Sequence, residues 1–533
     1  MSYNNKDTSQ IFTAGTHLPY WIQSIEPIVY TKLDTHKKTD VVIVGGGIAG
    51  VTIAYCLTNA GKKVVLVEDG FIGSGETGRT TAHLTSALDD RYYELERQFG
   101  EENAKLSSES HLSAIDFIER TIAKEHISCE FERVNGYLFL HPSDERDSLD
   151  KEFEAALKAG QKVEMTSVTL GDKAHDAIQF NNQAQFHPLK YIRALCEAII
   201  KNGGEIYTNT HAKEINGSGI ETNEGYKVDA EHVVVATNSP VNNKFVMHLK
   251  QYAYRTYVIG GKIKKGSLSK ALWWDSGDFD VNSEIAPYHY VRTQQYNHEY
   301  DLLIVGGEDH ATGLADAEQL PEENRYALLE KWAKEYFPQI EEIVYKWSGQ
   351  VMEPMDSLAY IGRNPMDKDN IFIVTGDSGN GMTHGTIAGL LIKDLITGKE
   401  NPWEKLYSPS RFKLFKAGKT LIKEYIGGLV SYIKTKPKDL DKIGLHDIKP
   451  QEGRILEFEG KKVGAYRDEN NDIHFVAAEC THLGCMVKWN NDEKSWDCPC
   501  HGSRFTYEGK VLNGPANEPL DHFTQNKNFL NSI

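Results

Sequence analysis

Two short stretches near the C-terminal end, CTHLGC at 480–485 and CPCHGS at 498–503, hold four of the chain's seven cysteines, and each carries a histidine. Cys480 and His482 are separated by one residue, Cys498 and His501 by two, and these are pincers of one sulfur and one nitrogen on two loops. Such a set could hold zinc or an iron–sulfur cluster. Zinc sites of this content usually group cysteines with cysteines and histidines with histidines. The alternating order instead suits a [2Fe–2S] centre in which two thiolates hold one iron and two imidazoles the other. Cys485 and Cys500 stand just beyond a ligand in each loop, where a bridge could lock the loops together. Cys56, Cys129 and Cys196 are scattered and read as small buried hydrophobes.

A second chemical signal lies at the other end, in KKTDVVIVGGGIAGVTIAYCLTNAGKKVVLVED. Val41–Val44 is a β-branched run fit for a strand buried on both faces. Gly45, Gly47 and Gly50 then form G-x-G-x-x-G, followed by a helix to about Asn59 and a second strand over Lys63–Val67 that ends at Glu68. The first glycine permits a tight turn, the second lets the backbone approach a pyrophosphate, and the third allows close helix packing. Phosphates would sit at the helix N-terminus around Ile48 and Ala49, and Glu68 would accept hydrogen bonds from ribose hydroxyls. A further G-x-G-x-x-G, GSGETG at 73–78, follows an already completed strand and reads as a flexible loop and not as a second nucleotide site.

The elements that must position these groups are spread widely. Residues 187–210 read as an amphipathic helix, a glycine stop and a strand; 228–240 as a buried strand; 370–398 as a strand, a glycine-rich loop and a helix. With TGRTTAHLT at 77–85, VVVATN at 233–238, WSGQVMEPMDSLAYIG at 347–362 and GDSGNGMTHG at 376–385, this order resembles the glycine oxidase and sarcosine oxidase group of D-amino-acid-oxidase-like FAD flavoproteins. The resemblance covers roughly residues 20–405. It implies noncovalent FAD, with Arg79, Thr80, Thr81 and His83 beside the cofactor and Gly379, Asn380, Gly381 and Met382 approaching the isoalloxazine. Some members of that group attach the flavin through cysteine or histidine. No cysteine lies near 376–385, and His83 leaves a histidyl link open. The aromatic segments of 246–345 resemble the sheet that roofs the flavin. Tyr254, Tyr257, Trp274, His289, Tyr290 and Arg292 are pocket candidates there, against the plainer reading that alternate residues are simply buried in a sheet. Tyr254, Tyr257, Tyr290 and Arg292 are the nominees for catalysis, and Arg255 or Arg292 could fork a substrate carboxylate.

CTHLGC and CPCHGS, with GKVLNGPANEPL at 509–520, resemble a Rieske domain of the disulfide-bearing type found in quinol–cytochrome complexes. That resemblance covers about residues 440–530. It implies Cys480 and Cys498 on one iron, His482 and His501 on the other, and a Cys485–Cys500 disulfide. Ser503 stands where the high-potential forms place a hydroxyl near the cluster, but Phe505 stands where they have tyrosine. One fewer hydrogen bond should lower the potential.

The expected architecture is therefore an α/β FAD-binding Rossmann-like domain interleaved with an antiparallel-sheet substrate domain, plus a C-terminal all-β Rieske domain. Residues 1–36 form an N-terminal extension. Residues 37–405 form the oxidoreductase, with FAD-binding parts at about 37–90, 185–245 and 345–405 and substrate parts at about 91–184 and 246–344. A linker helix spans 406–440 and the Rieske domain 441–533. Within the linker, Phe412, Phe415, Ile422, Ile426, Leu429 and Ile433 recur at helical spacing among lysines. The 411–434 helix thus suits either packing on the flavin domain or contact with an anionic membrane surface.

The formal charge of −17, from 59 Lys+Arg and 76 Asp+Glu, argues against a nucleic-acid partner. The N-terminus lacks the basic start and apolar run of a secretory signal, and the chain is expected to be soluble and cytoplasmic. The expected activity is oxidation of an amine or amino-acid C–N bond, with electrons passing from FAD to the cluster and on to a quinone or small redox protein. The alternatives are a reductase delivering electrons outward from another donor, or a redox sensor. A Rieske oxygenase would need two nearby histidines for a further iron, and no two histidines here lie closer than His474 and His482.

Overall fold

The computed structural model describes Gly15 and residues 17–242, 247–279, 288–313, 324–411, 445–458 and 461–521. The lysine-rich segment at 412–434 lies outside them.

The nucleotide-binding layer is an eight-stranded sheet. Its centre is parallel, in the order Ile371–Thr375, Lys227–Val235, Lys37–Val44, Val64–Val67, Glu205–Tyr207. Unbroken valine and isoleucine runs form these strands because both faces are covered. Val41, Ile43, Val64 and Leu66 face one core, and Val42, Val44, Val65 and Val67 face another. Helices Ile48–Asn59, Pro188–Lys201 and Gly381–Ile396 pack on the first face. The first and last of these approach closely because they meet at glycine: a Cβ on Gly389 would lie 2.5 Å from the Thr52 side chain.

A nine-stranded, largely antiparallel sheet forms the second layer. Its strand Gln251–Lys264, termed here the roof strand, pairs with Glu342–Pro354 on one side and Tyr300–Ala311 on the other. The C-terminal part is all-β. Glu452–Phe458, Lys461–Arg467 and Ile473–Ala477 form one small sheet, and Lys488–Asn490, Ser495–Asp497, Arg504–Thr506 and Val511–Asn513 form another.

Two segments are more integrated than their sequences indicate. Trp21, in the N-terminal extension, is fully buried and donates to Thr80 O at 2.6 Å. The GSGETG stretch, expected to be a flexible loop, forms a 3-10 turn at Glu76–Gly78 with Thr77 and Gly78 buried. Among the described residues, no helix is long and apolar enough to cross a membrane.

Candidate redox site

The Gly45–Gly50 turn is built for close approach. Gly45 has φ +109, and a Cβ there would sit 2.4 Å from Ala236 O. On Gly50 a Cβ would sit 1.9 Å from Gly45 O, so only glycine lets helix Ile48–Asn59 start against its own turn. The Glu68 carboxylate closes the far side, accepting from Gly46 N at 2.6 Å and Gly70 N at 2.9 Å. Thr77 Oγ1 accepts from Ile48 N at 2.9 Å and ties the second glycine-rich stretch to the first. These groups open onto a cavity of about 840 Å³. Of the nominated cofactor residues, Gly45, Gly47, Ile48, Ala49, Glu68, Arg79, Thr80, Thr81, His83, Gly379, Asn380, Gly381 and Met382 all line it. Gly50 does not; its role is the helix contact. A cradle that a single added carbon would block, at a helix N-terminus facing a carboxylate, fits a dinucleotide.

His83 faces this cavity with both ring nitrogens engaged, Nδ1 with Thr81 Oγ1 at 3.0 Å and Nε2 with Val291 O at 3.2 Å. Burial, with the nearby Arg292 charge, pushes it down to about 3, so the imidazole is neutral. Tyr254, Tyr290 and Trp274 line the cavity together with Tyr252 and Tyr288.

Four nominated pocket residues lie elsewhere. Tyr257 is on the opposite face of the roof strand, with its hydroxyl 3.1 Å from His310 Nε2. His289 is pinned between Asp275 (2.9 Å) and Glu308 (3.4 Å). Arg292 is spent on backbone: Nη1 donates to Ala82 O at 2.8 Å and Phe186 O at 3.1 Å, which steadies the segment beside His83. Arg255 points away from the cavity as well, so neither expected carboxylate fork reaches it.

What reaches it instead is acid. Asp89, Asp90, Asp309, Glu353 and Asp377 line the aromatic end, and Arg91 lines the cavity as well, its Nη2 donating to Asp275 O at 3.4 Å. Burial raises Asp89 to about 6 and, with the neighbouring Asp89 charge, Asp90 to about 7. It also raises Asp309 to about 7 and pushes Glu353 well up. Tyr288 OH donates to Asp89 Oδ2 at 2.7 Å, and Ser378 Oγ lies 3.0 Å from Asp90 Oδ2 and 2.9 Å from Glu353 Oε2. Sequence reading missed this group. Its one local trace is the Asp89-Asp90 pair, which three residues separate from the end of TGRTTAHLT.

In the C-terminal part, backbone bonds close each cysteine loop: Cys480 N to Cys485 O at 2.8 Å, and Cys498 N to Ser503 O at 2.8 Å. Cys485 and Cys500 form a disulfide. Cys498 Sγ lies within 4.8 Å of both disulfide sulfurs, but the bridge leaves Cys480 and Cys498 as the thiols of the two loops. Those two are buried and hydrogen-bonded to each other, and that bond draws Cys480 down to about 7. The His482 and His501 rings stand 5.0 Å apart. Two adjoining thiols beside two adjoining imidazoles are the donor set that a two-iron cluster needs.

The roof strand joins the two sites. Residues alternate across a strand, and Tyr252, Tyr254, Thr256 and Val258 all line the cavity. From the other face Ala253 meets the second cysteine loop so closely that a Cβ on Gly502 would lie 2.2 Å from Ala253 Cβ. Gln350 Nε2, from the paired strand, donates to Gly502 O at 3.0 Å. Just before the strand, the His248 ring lies 5.0 Å from that of His482 and 5.6 Å from that of His501. One strand thus separates the cavity from the cysteine loop.

The sequence matches the FAD dependent oxidoreductase family over residues 40–395 and the Rieske [2Fe-2S] domain over residues 443–524. The chain belongs to the FAD dependent oxidoreductase family and carries a C-terminal Rieske domain. It is 34% identical to a Rieske 2Fe-2S iron-sulfur protein of Bacillus subtilis (strain 168), over 96% of this chain and 98% of that one. It is 26% identical to gamma-glutamylputrescine oxidoreductase of Escherichia coli (strain K12), over 74% of this chain and 92% of that one. Glycine oxidase from Geobacillus kaustophilus shares the fold of the oxidoreductase part, with a TM-score of 0.58 at 20% identity over 71% of this chain and all of that one. The oxidoreductase binds FAD and its Rieske domain binds a [2Fe–2S] cluster.

In this Rieske domain Ser503 Oγ accepts from Ala516 N at 2.9 Å, and Phe505 is fully buried. Phe505→Tyr should restore a hydroxyl donor and raise the cluster's midpoint potential. A hydrogen bond worth about 1 kcal/mol corresponds to roughly 40 mV for one electron. A redox titration followed by EPR checks this, with unchanged g-values showing that the cluster is otherwise intact.

Proposed function

We propose that this oxidoreductase takes electrons from a cationic amine, at a carbon next to nitrogen, and passes them across the roof strand to the Rieske side. There an external acceptor, a quinone or small redox protein, removes them. When bound, FAD supplies two-electron oxidation of the C–H bond, and the cluster supplies one-electron transfer. Relatives named for gamma-glutamylputrescine and for glycine support an amine or amino acid as the substrate class.

The chain's own residues favour the cation. Asp89, Asp90, Asp309 and Glu353 outnumber Arg91 at the aromatic end, and the two arginines expected to fork a carboxylate are engaged elsewhere. Tyr254, Tyr288, Tyr290 and Trp274 add π faces, which attract ammonium groups. The observation that carries the transfer is the single strand between the two sites, Tyr252 and Tyr254 on one face and Ala253 against Gly502 on the other.

The test is anaerobic. A cationic amine should bleach the flavin and then produce the reduced-cluster EPR signal without added mediator. A flavin that bleaches while the cluster stays oxidised would end the transfer reading. In a substrate panel, diamines should outperform α-amino acids of equal length.

The cavity carboxyls also set a pH dependence. Their values are raised in the folded chain, so the substrate-free protein should lose stability as pH rises from about 4 to about 7. Binding a cation favours the ionised carboxylates and releases protons. The amine's dissociation constant should therefore fall as pH rises toward about 7, by about tenfold per pH unit for each proton released, and level off once these carboxyls are ionised in the free protein. Calorimetry in buffers of different ionisation enthalpy counts those protons.

A further inference from the structure

We infer that the Rieske domain forms part of the FAD-binding site: its loop 511–517 walls the side of the cavity where Glu68 and the Gly45–Gly50 turn lie, so FAD retention depends on Rieske docking. The inference rests on the family's cofactor and is independent of the amine reading.

Val511, Leu512, Asn513, Gly514, Ala516 and Asn517 line the same cavity as Gly45–Ala49 and Glu68. One hydrogen bond and one packing contact hold the loop against the cradle. Asn513 Nδ2 donates to Glu76 Oε1 at 2.8 Å, while Glu76 Oε2 accepts from Gln350 N at 2.6 Å. Glu76 precedes Thr77, whose hydroxyl takes the Ile48 amide at the helix start. The turn under the cofactor is therefore held jointly by the roof sheet and the Rieske loop. Gly514 packs against the segment after strand Lys227–Val235, and a Cβ on it would lie 3.5 Å from Val241. Glu518 acts electrostatically on His211, which lines the cavity and pairs with Asp69 at 3.1 Å, one residue beyond Glu68.

Within the Rieske domain the loop is held by Arg504, whose Nη1 donates to Asn513 Oδ1 at 3.0 Å, and by the cysteine loops. Ser503 Oγ accepts from Ala516 N at 2.9 Å, and Thr481 Oγ1 donates to Glu518 O at 2.6 Å. One peptide thus reaches from the iron–sulfur side to the nucleotide cradle. A ligand that binds only the docked form stabilises docking by the same free energy that docking adds to its own binding.

The experiment uses the full-length protein loaded with both cofactors. Release of FAD is followed by the fluorescence of free flavin, and the cluster by its visible circular dichroism. Asn513→Ala removes the hydrogen bond to the Glu76 carboxylate, together with the Arg504 bond to Asn513 Oδ1, and should speed FAD release about tenfold while the cluster spectrum is unchanged. Glu469→Ala, on an exposed Rieske turn outside the cavity, should leave the rate at the wild-type value. Independently, hydrogen exchange of residues 511–518 in the wild-type protein should quicken when FAD is stripped. Asn513→Ala protein that keeps its cluster and releases FAD at the wild-type rate, or a loop whose exchange ignores FAD, would overturn the inference.

Discussion

Replacing Glu493 by leucine should destabilise the docked protein by about 3–5 kcal/mol, the range for removing one partner of a buried ion network. Glu493 belongs to the Rieske hairpin and is fully buried. Tyr326 OH donates to its Oε1 at 2.8 Å, and its Oε2 lies 3.7 Å from Arg255 Nη2 and 3.9 Å from Arg504 Nη2. Burial alone would raise this carboxyl, yet the Arg255, Arg79 and Arg504 charges hold it at about 2. Arg79 belongs to the cofactor loop, Arg255 to the roof strand and Arg504 to the Rieske domain, so one carboxylate serves cations from all three places. Leucine would leave those guanidinium groups repelling one another in a medium that solvates them poorly. The loss falls on the interface, and calorimetry should show the Rieske transition separating from the flavin-domain transition. The pH dependence has a definite sign. A carboxyl held below its ordinary value stabilises the fold above pH 4.5 and ceases to as pH falls through about 2. Wild-type protein should therefore undock on acidification over that window, and Glu493→Leu protein should lack the step. A variant with wild-type stability would show that the arginines do not depend on this carboxylate.

Gly50→Ala should yield protein without flavin but with its iron–sulfur cluster. The added Cβ would stand 1.9 Å from Gly45 O, and both positions are backbone, so no rotamer change relieves the contact. Helix Ile48–Asn59 must shift or the Gly45 turn must open, and either moves the amides that face the cavity. Gly47→Ala is the informative contrast. There the nearest atom is Thr77 Oγ1 at 3.0 Å, the end of a side chain that can give way, so flavin content should fall only partly. The ratio of flavin to iron in purified protein checks both variants, and a Gly50→Ala protein with full flavin would contradict the placement of the cofactor.

Much of this molecule was legible from short-range pattern. The Gly45–Gly50 turn with Glu68, and the paired thiol–imidazole loops, are chemistry written within about twenty residues. Local chain geometry sets their spacing, and the structure places the Gly45, Gly47, Ile48, Ala49 and Glu68 positions around one cavity and the two cysteine loops side by side. Other features were decided by register and docking. Tyr254 and Tyr257 sit three residues apart on one strand, and an odd offset sends them to opposite faces; which face meets the cavity depends on the partner strands. Arg255 and Arg292 looked like carboxylate clamps by residue type, but burial demanded acceptors, and they found them in Ser348, in backbone carbonyls and beside Glu493. Asp90 and Glu353 are far apart in sequence and converge on the Ser378 hydroxyl. Glu76 and Asn513 are 437 residues apart, and no pattern in either segment announces the other. The sequence by itself determined which groups could do chemistry, because ligand spacing is local. Only the tertiary structure decided which groups face each other, because that depends on how sheet faces and whole domains bury their charges.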